Sequence, residues 1–207
     1  MNETRRRRAP AMTPQERRSA IVAATLPLLA EQGATVTTGQ IAAASGVAEG
    51  TVFRAFADKN ELMWACLQAA FDPAEPIAAL ARIPRELPVA QRLLQASTAV
   101  AEHWDRAMQI GHAVRSTCPV PPATERHARS ETGEKMQALN AAVADLLAPD
   151  AADLRLSPQR TAQLFLLTVT SDRMLRMRMA GLGAPAATDV EELIEVFLHG
   201  ALRGEHG

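Results

Sequence analysis

The chain has 207 residues, of which 47% are hydrophobic, and its formal net charge at pH 7 is −1. This length and apolar content suffice for one small module and one medium domain with a buried core, so disorder is not the default expectation. Alanine and leucine dominate the aliphatic residues, tyrosine is absent, and only 3% of the residues are aromatic. Because this composition favours helices over strands, we expect an all-α fold.

The near-neutral total charge hides an asymmetry along the chain. Residues 1–60 hold eight Lys and Arg residues against five Asp and Glu residues, so this part is basic and the remainder is acidic. A basic N-terminal module fits a polyanionic partner. No charge-free apolar stretch reaches the roughly 18 residues of a membrane span, and no signal-peptide run follows Arg5–Arg8. We therefore expect a cytoplasmic protein without a membrane partner.

Cysteine and histidine usage gives no sign of a metal centre. Cys66 and Cys118 are far apart and lack a CxxC spacing, which disfavours a disulfide framework or a zinc site. We expect Cys66 to be buried, and Cys118 is a candidate exposed thiol. A metal-sensor alternative rests on three histidines that form no compact ligand spacing: His103, His112 and His127. We expect no metal and no cofactor.

The first predicted helix has a strong start signal. Thr13 and Glu16 have the spacing of a capping box, and Pro14 lies in the first helical turn. Gly33 ends this helix. Pro27, which lies inside it, removes a backbone donor and is expected to bend it.

Two short helices follow, over Thr37–Ala44 and about 48–55, and Ser45-Gly46 separates them. The threonine pair at the start of the first short helix is able to cap it. Asp58 then caps a fourth helix that runs to Phe71. Two short helices joined by a small-residue turn, near a basic chain end, predict a helix-turn-helix whose second helix enters a DNA major groove.

The next segment is rich in proline. Four prolines between Asp72 and Pro88 interrupt the helical pattern and mark a module boundary. Beyond the boundary, four long segments are compatible with helices: 89–116, 123–148, 158–180 and 189–203. We therefore divide the chain into a flexible basic arm, a helix-turn-helix domain and a helical domain, over residues 1–12, 13–71 and 72–207.

The predicted helix-turn-helix carries a set of residues with a characteristic spacing: Ile41-Ala42, Gly46-Val47, Gly50-Thr51-Val52-Phe53, Phe56 and Lys59-Asn60-Glu61-Leu62. In order and spacing, these residues resemble the signature of the TetR family of transcriptional regulators, over about residues 14–66. The resemblance implies an N-terminal three-helix module of helix-turn-helix type and a C-terminal helical domain for regulation and dimerisation.

The resemblance also implies which side chains meet DNA. In the recognition helix, Glu49, Gly50, Thr51 and Arg54 match positions near base edges or the adjoining backbone. Arg54 is the best candidate for reading sequence, since a guanidinium can bond two acceptors of guanine. Glu49 either accepts from a cytosine amino group or repels phosphate.

Other positions match phosphate contacts or depart from the family pattern. Thr38 and Lys59 match phosphate-contacting positions, with a helix cap and a solvated charge as the alternative roles. Phe53 stands where the family often has a tyrosine that reaches a phosphate, so it either touches sugar or a thymine methyl or only packs. Gly39 and Ala55 have no side chain able to read DNA.

The arginine run before the module has two interpretations. Arg5–Arg8 either reaches an adjacent minor groove and attracts phosphates, or forms a solubilising tail. We favour a contribution to DNA binding, because the run immediately precedes the binding module.

For the C-terminal domain, the resemblance implies a homodimer whose last two helices form a four-helix bundle with those of the partner. The apolar candidates for this interface are Leu164, Leu167, Met174, Leu175, Leu193, Ile194, Phe197 and Leu198, some of which must be monomer core. A small-molecule pocket is also implied. Its candidate residues, each of which is alternatively plain core, are Trp104, Met108, His112, Met136, Leu139, Phe165 and Thr168.

The resemblance therefore implies a repressor that binds a palindromic double-stranded DNA operator as a homodimer and is released by a small-molecule inducer. The alternatives are an enzyme tethered to DNA by its basic module, and a regulator controlled by a protein partner. The sequence has no nucleophile turn, no phosphate-cradling glycine loop and no paired acidic motif, so we expect no enzyme activity and no catalytic residues.

Overall fold

A computed structural model describes residues 12–118, 124–179 and 189–201, without the side chains of 124–132, 176–179 and 201. The described residues contain helices and no extended strand, which confirms the all-α prediction. Most of the arm, including Arg5–Arg8, lies outside them. The helices in chain order are α1 (Pro14–Gln32), α2 (Thr38–Ala44), α3 (Glu49–Ala55), α4 (Lys59–Ala70), α5 (Ala74–Ala81), α6 (Val89–Thr117), α7 (Thr124–Leu147), α8 (Pro158–Met179) and α9 (Val190–Ala201).

Helix α1 begins with the predicted capping box. The Thr13 hydroxyl accepts from the Glu16 amide at 3.2 Å, and the Glu16 carboxylate accepts from the Thr13 amide at 2.7 Å. The amide and hydroxyl of Thr13 also lower the pKa of Glu16. The helix continues through Pro27 and ends at Gly33, whose φ of 63° is a conformation that glycine tolerates best.

The proline-rich segment contains a helix that the sequence did not predict. Helix α5 spans Ala74–Ala81, and Pro73 is its N-cap. Pro76 lies in the first turn, where a backbone N–H has no partner inside the helix, so its missing donor costs little. The expectation that prolines interrupt helices throughout this segment is therefore wrong for Ala74–Ala81.

The described chain falls into two compact units, and the first consists of residues 12–70 and 109–118. The C-terminal end of α6 contributes Ile110, Val114 and Cys118 to the core of this unit. The predicted helix-turn-helix domain, 13–71, did not include this segment, because the pattern of a long helix does not show which turns pack together. The other fully buried residues of the core include Ile21, Leu29, Val36, Ile41, Val52, Phe56, Leu62 and Met63.

The second unit is built from α5, residues 89–108 of α6, and α7 to α9. Helix α7 packs against both α5 and α8. In the described ranges, none of the helices combines the length and apolar character needed to cross a membrane. The core of the unit is mostly aliphatic, and it includes Leu80, Leu93, Val100, Val143, Leu146, Leu147, Phe165, Val169, Ile194 and Leu198.

A buried arginine organises one end of the second unit. Arg92, in the first turn of α6, is only 2% exposed. Its Nε donates to the Leu87 carbonyl at 2.8 Å, and its two Nη atoms donate to the Leu146 carbonyl and the Asp150 carboxylate. Leu146 lies in the last turn of α7, where carbonyls lack partners inside the helix. Arg92 therefore ties the start of α6 to the end of α7.

We predict that Arg92→Met lowers the free energy of unfolding by about 3 kcal/mol, because it leaves a carboxylate and two carbonyls without their donor. Urea unfolding followed by circular dichroism measures the loss. The matched control is Arg82→Met, since Arg82 is exposed and its replacement should leave the midpoint unchanged. Equal midpoints for the two variants would show that the buried arginine is not needed for stability.

Candidate nucleic-acid interface

The first helix of the helix-turn-helix is fixed at both ends. The Thr37 hydroxyl accepts from the Gln40 amide at 3.2 Å, and the Gln40 side chain accepts from the Thr37 amide at 2.8 Å. Thr37 is therefore the N-cap of α2, and Thr38 is its first helical residue. In the turn that follows, Gly46 has a φ of 64°, a left-handed conformation that favours glycine.

Helix α3 turns one face to the core and another to solvent. Val52 and the following Phe56 are each 2% exposed, so they attach the helix to the core of the first unit. Thr51 is half-buried. The exposed residues recur at spacings of three and four, which places them on one side of the helix: Glu49, Gly50, Phe53 and Arg54.

Two neighbouring side chains dominate this outer face. Phe53 is 52% exposed, so its ring is not part of the core and has surface to offer a partner. Arg54 is exposed and forms no hydrogen bond or ion pair within the described residues. Its five N–H donors are therefore available to an incoming ligand.

A hydrogen bond joins the first residues of the two short helices. The Thr38 hydroxyl donates to the Glu49 carboxylate. Two predicted DNA contacts are thus engaged with each other in the DNA-free chain. The Thr38 hydroxyl must break its hydrogen bond to Glu49 before it can donate to a phosphate. The negative charge of the Glu49 carboxylate also repels a phosphate at this position.

Lys59 is held near the start of α4. Its Nζ donates to the Ala34 carbonyl at 3.3 Å, and the side chain is half-buried. The neighbouring Asp58 carboxylate accepts from the Glu61 amide at 2.8 Å, which confirms the predicted cap. Because an ammonium has three donors, Lys59 retains donors for a phosphate.

Arg18, Phe56 and Glu61 form a cluster at the end of α3 that was not predicted from the sequence. One Nη of Arg18 donates to the Ala55 carbonyl, and the other lies 2.7 Å from Glu61 Oε1. The guanidinium carbon is 4.1 Å from the centroid of the Phe56 ring. Glu61 Oε2 accepts from the Ala57 amide at 2.6 Å. The Ala57 amide and the Arg18 guanidinium lower the pKa of Glu61.

No sequence signal identifies this cluster. Arg18 and Glu61 lie 43 positions apart, and Arg17 is the same residue type beside Arg18. Only the packing of α1 on the other helices of the first unit distinguishes the two arginines.

Both thiols lie in the core of the first unit. Cys66 and Cys118 are buried and free. Burial raises the pKa of Cys66 to about 12 despite a hydrogen bond with Thr25. An exposed thiol at Cys118 was the wrong expectation. Among the described residues, no three His, Cys, Asp or Glu side chains lie close enough together to hold a metal, and the side chain of His127 lies outside the description.

The predicted ligand-binding residues have different environments. Leu139 and Phe165 are buried in the core of the second unit. The Thr168 hydroxyl donates to the Leu164 carbonyl of its own helix at 2.8 Å. His112 is exposed and belongs to the segment of α6 that lies in the first unit. Their role in ligand binding stays a prediction.

Trp104 has the most unusual environment of this set. Its ring meets Phe71 edge to face, with the centroids 5.9 Å apart. Its Nε1 is buried and has no hydrogen-bond partner among the described residues. A buried donor without an acceptor is costly, so this N–H favours any ligand that brings an acceptor. Met108, one helical turn further along α6, is half-buried.

Met136 lines an open groove between α7 and α8 with a volume of about 350 Å³. Asn140, also in the groove, has a buried Oδ1 to which no described residue donates. The groove was not predicted, and none of the other predicted ligand-binding residues lines it. The remaining lining residues are Gly133, Gln137, Gln163, Leu166, Leu167 and Thr170.

The predicted interface residues separate by helix. On α9, Ile194 and Leu198 are buried, and the Phe197 ring lies 5.8 Å from that of Phe165, so this helix closes the core of its own unit. Leu193 is half-buried. On α8, four apolar side chains are between 37% and 55% exposed: Leu164, Leu167, Met174 and Leu175. Helix α8 therefore offers most of the free apolar surface.

The helix-turn-helix matches a known family. The model for "Bacterial regulatory proteins, tetR family" matches residues 21–66, which include α2, α3 and most of α1 and α4. No curated protein matches the chain. The predicted TetR-family resemblance is confirmed.

Solved structures share the fold over nearly the whole chain. A TetR-family protein from Vibrio parahaemolyticus is 22% identical, with a TM-score of 0.55 and coverage of 91% of this chain and 100% of that chain. A TetR-family regulator from Mesorhizobium loti is 14% identical, with a TM-score of 0.59 and coverage of 93% and 100%. NalD, the secondary repressor of the MexAB-OprM multidrug efflux pump in Pseudomonas aeruginosa, is 22% identical, with a TM-score of 0.55 and coverage of 93% and 99%.

Proposed function

Since the chain carries the tetR-family DNA-binding domain and the all-helical fold of TetR-family regulators, we propose that it is a cytoplasmic repressor that binds a palindromic operator as a homodimer and is released by a small molecule. The observation that carries DNA reading is the outer face of α3. There, an exposed Arg54, which pairs with no other residue in the described part of the chain, lies beside an exposed Phe53.

Each of the proposed DNA-contacting side chains has a role set by its chemistry. The Arg54 guanidinium bonds the two acceptors of a guanine in the major groove, and the Phe53 ring contacts a thymine methyl. Lys59, whose Nζ is positioned by the Ala34 carbonyl, binds a phosphate, as Thr38 does after it releases Glu49. Arg54 and Phe53 therefore read sequence, whereas Lys59 and Thr38 fix the docking position.

We predict different effects for Arg54→Ala and Lys59→Ala. The first should lower operator affinity and relax the preference at one base pair by about 1–3 kcal/mol. The second should weaken binding to operator and scrambled duplex alike and make the salt slope shallower by about one unit. Titrations at several salt concentrations separate the two effects, with Arg82→Ala as an exposed control in the second unit. Wild-type binding by both variants would refute the docking.

The homodimer rests on the exposed side of α8. At 100° per residue, Leu164, Leu167, Met174 and Leu175 lie within one third of the helix circumference, and all four are exposed. A monomer rarely leaves an apolar stripe of this kind in water, even one that Ser171 interrupts. Packing it against the same stripe of a second copy gives a two-fold dimer, which matches a palindromic operator.

We predict that Leu175→Glu converts the dimer to a monomer, because it buries two carboxylates near the two-fold axis. Sedimentation velocity at micromolar concentration measures the change. Leu156→Glu is the control, since Leu156 is 47% exposed outside the helices and is not part of the stripe. Phe197 is a poor test residue because its ring packs on Phe165. A monomeric wild type would contradict both the interface and the palindrome.

Release by a small molecule rests on the unpaired indole N–H of Trp104. An aromatic compound with a carbonyl or ether oxygen satisfies this donor and packs against Phe71 and Met108. Occupancy then favours a conformation with lower operator affinity. Repression, rather than activation, is proposed by analogy with the structurally similar repressor NalD.

We predict that such a compound changes the fluorescence of Trp104 and lowers operator affinity over the same concentration range. The chain has two tryptophans, so Trp64→Phe leaves Trp104 as the reporter. Adding Trp104→Phe to this variant removes the signal and weakens the compound's effect on DNA binding. A compound that changes Trp104 emission while operator affinity stays constant would separate this site from regulation.

A further inference from the structure

We propose that Arg18 is the positioning residue of the recognition helix: it fixes the C-terminal end of α3 so that Arg54 meets its base, and it does not itself touch DNA. This inference rests on the proposed DNA-binding function. Helix α3 has seven residues, and its N-cap, Ala48, makes no side-chain hydrogen bond. A helix this short is marginal alone, so contacts outside it must set its position.

The contact of Arg18 with α3 is at the residue next to Arg54. The Ala55 carbonyl belongs to the last turn of the helix, where carbonyls lack partners inside the helix. Arg18 donates to this carbonyl, and its positive charge suits the negative end of the helix dipole. A shift of Ala55 therefore moves the Arg54 backbone directly.

The same guanidinium also holds the segment that follows. It pairs with Glu61 Oε1 at 2.7 Å, while Glu61 Oε2 accepts from the Ala57 amide at 2.6 Å. Between these two bonds, the guanidinium lies over the ring of Phe56, which is 2% exposed. Arg18 and Glu61 thus fix three consecutive residues, 55–57, between the recognition helix and α4.

This arrangement needs an arginine rather than any positive charge. Its planar fork donates in two directions and stacks on a ring at once, whereas an ammonium is a compact point charge. Arg17 provides the comparison, because it is also half-buried, but within the described residues its side chain donates only to the Met12 carbonyl at 3.3 Å and makes no hydrogen bond with α3. Replacing either arginine with lysine keeps the charge, and only the change at Arg18 disturbs α3.

The test compares Arg18→Lys with Arg17→Lys in the full chain. The specific probe is the duplex that the wild type enriches from a random-sequence library, and the non-specific probe is its scrambled version. We expect Arg18→Lys to lower affinity for the enriched duplex about tenfold, the loss of roughly one good base contact. Scrambled-duplex affinity and the salt slope should not change, and Arg17→Lys should match the wild type on both probes.

A double variant separates positioning from general stability. If Arg18 acts through Arg54, then Arg18→Lys has little further effect in an Arg54→Ala background. A purely structural role instead lowers binding to both duplexes by the same factor in either background. If Arg18→Lys does not fold, Glu61→Gln tests the same clamp by removing the charge that pairs with Arg18.

The outcomes distinguish the inference from the function it rests on. An unchanged ratio of enriched to scrambled affinity in Arg18→Lys, an equal loss on both probes, or a full effect in the Arg54→Ala background overturns the positioning role. Failure of the wild type to enrich any duplex overturns the proposed function itself.

Discussion

The proposed reading of DNA depends on the direction of one helix that is too short to fix itself. Isolated helices below about 12 residues are marginal in water, and α3 has seven. Val52 and Phe56, buried in the core, decide which face points outward. The turn at Gly46 determines how the chain enters the helix, and Arg18 holds its last turn. These contacts therefore restrict three different things: the rotation of α3 about its axis, the position of its start and the position of its end.

Local features of this fold were predictable because the groups that create them are neighbours in the chain. The capping bonds of Thr13, Thr37 and Asp58 all span three residues, so the spacing of residue types was enough to find them. The same reasoning failed for α5. A rule that holds for proline in a helix interior was applied to Pro76, which lies in a first turn.

Features that depend on distant partners were not predictable. The Thr38 bond to Glu49 spans 11 positions and the Arg18 pair with Glu61 spans 43, and neither residue type signals its partner. The apolar residues of α8 and α9 show the same limit. Leu175 and Ile194 each belong to an apolar helix face that is predicted from the sequence, yet Leu175 is exposed to solvent and Ile194 lies in the core. Periodicity shows that a helix has an apolar face and leaves open what covers it.

Helix α6 contributes to two cores, and this limits how the protein can be divided into fragments or combined with domains of related proteins. Residues 109–118 supply Ile110, Val114 and Cys118 to the core of the DNA-binding unit, although 38 residues of the other unit separate them from α4. A fragment that stops after α4 leaves an apolar gap in that core. An exchange of DNA-binding heads between related regulators must therefore transfer two separate stretches of chain.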